Sequence, residues 1–137
     1  MQVPESEPSF LILATDGLWD TMSSQDAVDL VGWWLDWQSL GGPDPPPKPW
    51  ETQSGSNGKA DGAPTVLGWK RHCKFEAASA TARDANAAVH LIRNGLGGAD
   101  EETVRGALTF RYPNSRDIRD DITVQVVIFN PPTDKAK

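Results

Sequence analysis

Three aspartates stand where two apolar segments end and begin. Asp16 lies two positions past the run Phe10, Leu11, Ile12, Leu13, Ala14, and Asp120 and Asp121 immediately precede Ile122. If the two segments are strands that pair antiparallel, the end of the first lies beside the start of the second. Carboxylates from both would then meet at one rim of a sheet. Clustered carboxylates without His or Cys select hard cations such as Mg²⁺ or Mn²⁺. Such ions activate water and clamp phosphate. The same residues also have an ordinary reading: Asp-Gly is a common turn dipeptide, and Asp before a strand is common loop chemistry. Spacing alone leaves both open.

The other chemistry-bearing residues give weaker patterns. His72 and His90 are lone histidines without a partner at ligand spacing, and His90 falls on a helical pattern where a structural role is expected. Cys73 has no base at motif spacing, so no nucleophile is expected there. Arg116 and Arg119 could grip phosphate or pair with Asp117, Asp120 or Asp121. The six tryptophans read as core and helix packing.

These residues sit in a chain of 137 residues, about one domain. Hydrophobic residues make up 38% and charged residues 23%, a globular rather than a disordered balance. Acids outnumber bases 19 to 13, for a net charge of −6, and no basic run occurs. Non-specific nucleic-acid binding and attraction to an anionic membrane are therefore not expected. A single cysteine rules out an intrachain disulfide framework and a multi-cysteine zinc site, and fits a reducing compartment. The longest apolar stretches, residues 10–14 and 30–35, are far too short to span a membrane. The first residues, MQVPESEPS, lack the basic and apolar regions of a secretory signal and the Arg-rich character of a transit peptide.

Two blocks of elements must position the aspartates. In the first, residues 10–14 predict a strand buried on both faces, and Asp16-Gly17 breaks it as a turn. Ser23 and Ser24 are N-cap candidates, with Asp26 in the first turn. Ala27, Val31, Trp34 and Leu35 then recur at helical spacing through Trp37. Residues 38–68 hold 6 of the 11 prolines and 6 of the 12 glycines. That composition predicts a surface insert over 38–70, its ends pinned by Trp50 and Trp69. In the second block, Ala85, Ala88, Val89, Ile92 and Leu96 mark a helix stopped by Gly95, Gly97 and Gly98. A shorter helix is predicted over 100–108, a loop over 112–115, and a strand over 122–129. The order predicts an α+β fold without a parallel βαβ unit or a Gly-rich phosphate loop.

Residues 10–20, FLILATDGLWD, resemble the strand-and-turn motif of the PPM (PP2C-type) metal-dependent protein phosphatases, and Ser24-Gln25-Asp26-Ala27-Val28 resembles the helix start that follows. Arg119-Asp120-Asp121-Ile122-Thr123-Val124 resembles the family's last acidic motif, which opens a core strand. Residues 86–94, NAAVHLIRN, together with RDDITV and Phe129-Asn130, are similar to the pyruvate dehydrogenase phosphatase branch. That branch often carries a variable insert at this place.

The resemblance implies the C-terminal part of an α-β-β-α sandwich with antiparallel sheets, extending over residues 1–137. It implies hydrolysis of phosphoserine or phosphothreonine by metal-bound water, with two Mg²⁺ or Mn²⁺ ions in the complete domain. Asp16 and Asp120 match metal ligands. Gly17 allows the tight turn, Trp19 and Asp20 support it, and Asp121 stands beside the ligands. The implied partner is a phosphoprotein, for the branch the pyruvate dehydrogenase E1 subunit, and the implied compartment is the mitochondrial matrix, with the cytoplasm as the fallback. The family's Asp-Gly-His motif, whose aspartate bridges the metals, has no counterpart here; Asp61-Gly62 lies in the insert and is no substitute. The chain is accordingly expected to be an N-terminally clipped portion of the domain, inactive alone, with an apolar sheet face left uncovered. The alternative is a non-catalytic pseudophosphatase fragment that acts as a binding module.

Overall fold

A computed structural model describes residues 9–50, 73–111 and 118–129. The elements run β1 (Ser9–Ala14), α1 (Asp16–Trp19), α2 (Ser24–Leu40), a 3₁₀ turn (Ala77–Ser79), α3 (Ala87–Leu96), α4 (Glu101–Thr109) and β2 (Val124–Phe129). Helices and an antiparallel pair of strands together make an α+β fold.

The strands pair with Ala14 opposite Val124 and Ser9 opposite Phe129. Alternation along each strand then sends Phe10, Ile12, Ala14, Val124, Val126 and Ile128 against the core. Leu11, Leu13, Val127 and Phe129 point the other way and are 36–50% exposed. The expectation that residues 10–14 are buried on both faces is thus corrected. The helices cover one face, and among the described residues no second layer covers the other. An uncovered apolar sheet face was expected from the resemblance; among the described residues, Leu11, Leu13, Val127 and Phe129 are the exposed apolar side chains of this sheet.

Helix α2 begins at a capping box: the Ser23 hydroxyl accepts from the Asp26 amide (3.0 Å) and the Asp26 carboxylate accepts from the Ser23 amide (3.0 Å). It runs three residues beyond Trp37 and ends where Gly41 adopts φ 65°, its amide bonding the Trp37 carbonyl. Residues 38–40 therefore belong to the helix, not to the insert. Ala27, Leu30 and Val31 are fully buried and pack with Leu18 and Leu91. The indoles of α2 tie it to its surroundings: Trp33 donates to the Pro46 carbonyl (2.8 Å) and Trp34 to that of Asp84 (2.7 Å). The ring of Trp50 meets Trp33 edge-on (5.7 Å) and Phe75 edge-on (5.9 Å), so this anchor is where it was expected. Trp69 and the rest of the insert from residue 51 lie outside the described residues, as does the loop predicted over 112–115.

Helix α3 starts at Ala87, two residues later than its apolar spacing suggested, because the Asn86 side chain accepts from the amides of Ala88 and Val89. Ala85 is therefore outside the helix. Helix α4 is capped by Asp100, as expected, and buries Val104 and Ala107 against Leu96. Ile122 packs on both this small cluster and the main core, joining α4 to the approach to β2.

Candidate metal centre

Asp16 is the first residue of α1, and that short helix replaces the plain turn expected at Asp16-Gly17. The pairing of Ala14 with Val124 carries the two segments past the sheet side by side. The Thr15 amide donates to the Thr123 carbonyl (3.1 Å). The Thr15 hydroxyl donates to the Asp121 carbonyl (3.1 Å) and accepts from the Thr123 amide (3.0 Å). One side chain thus continues the ladder one step beyond the strands and locks the Asp16 turn to the Asp120-Asp121 turn.

Gly17 is buried in that junction. A Cβ there would lie 2.9 Å from the Asp121 carbonyl carbon and closer still to its oxygen, with Ile122 Cγ1 at 3.1 Å. The close approach of two backbones requires glycine here. The Trp19 indole donates to the Ala14 carbonyl (3.1 Å), folding α1 back on the end of β1. The Asp20 amide donates to the Asp16 carbonyl (2.8 Å), closing the helical turn. The Asp121 amide donates to the Asp120 carboxylate (2.8 Å).

Asp16, Asp120 and Asp121 are all exposed. Among the described residues no group of three or more His, Cys, Asp or Glu side chains is arranged to hold a metal. Asp16 and Asp120 stand on the two turns that Thr15 joins, and each carries a hard oxygen donor. Mg²⁺ usually keeps several waters and takes only one or two protein carboxylates.

The remaining chemistry-bearing residues have structural partners. His90 is fully buried. Its Nε2 is 2.8 Å from the Leu30 carbonyl, which only accepts, so Nε2 carries the proton; Nδ1 then accepts from the Asn94 amide (3.2 Å). Burial, the largest effect, pushes the His90 pKa down against the opposing pull of the Leu30 carbonyl. Arg119 Nε donates to the Ala107 carbonyl (2.9 Å), tethering the acidic motif to the end of α4. Burial raises the Cys73 thiol pKa, with Arg119 partly offsetting it. His72 and Arg116 lie outside the described residues. Among the described residues no helix is long and apolar enough to cross a membrane.

Sequence reasoning passed over Thr15 and Lys74. Thr15 sits in the motif but has no pattern of its own. The Lys74 ammonium donates to the Asp20 carbonyl (2.5 Å), a contact spanning 54 residues that no local signal reports.

A family model described as Protein phosphatase 2C matches residues 2–44. A protein phosphatase 2C homolog of Schizosaccharomyces pombe is 44% identical over 124 residues, covering 90% of this chain and 24% of that protein. The mitochondrial [pyruvate dehydrogenase [acetyl-transferring]]-phosphatase 1 of Rattus norvegicus is 37% identical over 135 residues, covering 90% of this chain and 22% of its own length. Human [pyruvate dehydrogenase [acetyl-transferring]]-phosphatase 2, mitochondrial, is 35% identical over 136 residues with the same coverage. The chain spans about a quarter of the length of these curated relatives. No solved structure matches it.

Proposed function

We propose that this chain, which resembles the protein phosphatase 2C family and has pyruvate dehydrogenase phosphatases among its relatives, is the C-terminal, metal-binding part of a protein serine/threonine phosphatase domain. The observation that carries the proposal is the junction of the two acidic turns. Thr15, Gly17 and Asp121 hold Asp16 and Asp120 at one end of the sheet. Asp16 and Asp120 are the proposed ligands of Mg²⁺ or Mn²⁺, with Asp121, Trp19 and Asp20 supporting the two turns. When bound, such an ion supplies Lewis-acid activation of water and neutralises charge on a phosphoryl group. The chain's own part is to present two carboxylates on a fixed backbone and to leave the solvent side open for water and phosphate.

The substrate in this reading is a phosphoserine or phosphothreonine protein. The names of the rat and human relatives make pyruvate dehydrogenase the first substrate to test and the mitochondrion the first compartment. The Asp-Gly-His aspartate implied by the resemblance has no counterpart in the sequence, so metal binding is a more direct readout than turnover. Mn²⁺ titrated into the full chain and followed by electron paramagnetic resonance should show binding that is lost in the Asp16→Asn, Asp120→Asn double variant. Equal Mn²⁺ binding by the double variant, or hydrolysis of a phosphoserine peptide at undiminished rate, would sink the assignment.

One observation favours a second reading, a non-catalytic binding module: Leu11, Leu13, Val127 and Phe129 form an exposed apolar sheet face. Under it, partner capture survives the double substitution and no metal dependence is found.

A further inference from the structure

Three consecutive residues outside both acidic motifs bond to the flanks of both. The Cys73 amide donates to the Ile118 carbonyl (3.0 Å), two residues before Asp120. The Lys74 ammonium donates to the Asp20 carbonyl (2.5 Å), at the end of the helical turn that begins with Asp16. The Phe75 amide donates to the carbonyl of the next residue, Thr21 (2.7 Å). On the other side, Thr15 bonds Asp121 and Thr123. The two acidic turns are therefore closed into a ring: joined directly through Thr15 and indirectly through residues 73–75. The ring is also anchored, since Phe75 stacks edge-on against Trp50 and Trp50 against Trp33 of α2.

We infer that residues 73–75 are a positioning element for the acidic rim, with Lys74 the side chain that sets the Asp16 turn against the Asp120 turn. Backbone bonds at Cys73 and Phe75 fix where the segment lies, but only Lys74 reaches the turn carrying Asp16 through a side chain that evolution or an experimenter can change. Its ammonium caps the Asp20 carbonyl, one of the carbonyls that a helix end leaves without an intrahelical partner. Besides that cap, α1 is held by its own single turn, by Trp19 and Thr15, and by the buried Leu18, whose carbonyl accepts from Thr21. A four-residue helix is marginal by itself, so the orientation of Asp16 depends on such outside contacts. Residues that orient metal ligands without touching the metal change affinity when removed.

The metal readout of this inference rests on the proposed function; the exchange readout does not. The test compares the full chain with Lys74→Met, which keeps the aliphatic stem and removes the donor, and with Lys74→Arg, which restores one. Amide hydrogen exchange at Thr15 and Thr123 reports the junction itself. In Lys74→Met these two amides should exchange about tenfold faster, the factor for a bond weakened by about 1.4 kcal/mol. The His90 amide, bonded to Asn86 inside α3, should be unchanged, and Lys74→Arg should recover the slow rates. Mn²⁺ affinity should fall about tenfold in Lys74→Met, again recovered by Arg. Unchanged exchange at Thr15 and Thr123 in Lys74→Met overturns the inference, as does faster exchange spread evenly over α2 and α3. If exchange behaves as expected but the unaltered chain binds no Mn²⁺, the positioning element stands and the metal reading fails.

Discussion

Gly17→Ala places a methyl group where two backbones touch, and the sign of its effect tests the junction. Gly17 lies inside a helical turn and is not among the residues with positive φ. Helix propensity alone therefore favours alanine by about 1 kcal/mol. Against that, the new Cβ would overlap the Asp121 carbonyl and press on Ile122. Overpacking of this kind costs roughly 1–3 kcal/mol. Relief by moving the 121–123 segment would weaken the three bonds centred on Thr15, each worth about 1 kcal/mol. The net expectation is a loss of about 2 kcal/mol. Gly32→Ala in α2 and Gly106→Ala in α4 serve as controls, because a Cβ at either meets nothing within 4 Å. Both should gain up to about 1 kcal/mol. Urea denaturation reads all three. Gly17→Ala should lower the midpoint by about 1 M, for a slope of roughly 2 kcal/mol/M, while the controls raise it. A Gly17→Ala midpoint that rises with the controls would mean the two turns do not touch, and the proposed centre would lose its frame.

Two further outcomes are expected. His90 is buried neutral, with its pKa held below the ordinary value of about 6.5 by burial first, then opposed by the Leu30 carbonyl and by Asp84. Between the folded and unfolded pKa values the unfolded chain binds more protons, so stability should fall as pH drops below about 6.5 and stay flat above it. His90→Gln should remove that slope in pH-dependent denaturation; a slope that persists would place the titrating group elsewhere. On the open sheet face, Leu13→Thr with Val127→Thr keeps strand propensity while removing apolar surface from residues 50% and 40% exposed. Sedimentation should show less self-association with a stability change within about 1 kcal/mol, and unchanged association would acquit that face.

The acidic rim was legible because each half is local. An apolar run followed by Asp-Gly marks where one strand ends, and an acidic pair before ITVQVVIF marks where the other begins. The alternation in β2 even shows which face goes inward, since Gln125 lies between Val124 and Val126. The β1 run carries no such marker. Phe10, Leu11, Ile12, Leu13 and Ala14 fit a strand covered on both faces, and composition records the apolar residues without recording whether a second layer is there. Helix ends failed for a different reason. Gln38 and Ser39 looked like the start of a polar insert, yet the stop signal was Gly41, two residues on, where a left-handed φ frees the chain from the helix. Asn86 likewise outranked the apolar spacing that began at Ala85, because a side chain that bonds two free amides fixes the first turn more firmly than one more apolar contact.

What holds the rim together was not legible. Thr15 and Lys74 act through partners 106 and 54 residues away, and the bonds end on backbone carbonyls, which every residue type provides. A carbonyl acceptor puts no constraint on the identity of its residue, so neither Asp121 nor Asp20 signals that it is bonded. The asymmetry follows from the chemistry. The oxygens proposed to bind metal here belong to carboxylate side chains, and so leave a mark in the sequence. The contacts that aim them need only a donor on one side, and so leave half a mark or none. Gly17 is the exception, because a close backbone approach excludes every side chain and makes the absence of one visible. The junction is for that reason best attacked from both ends: at Gly17, where the sequence announces the contact, and at Lys74, where only the fold does.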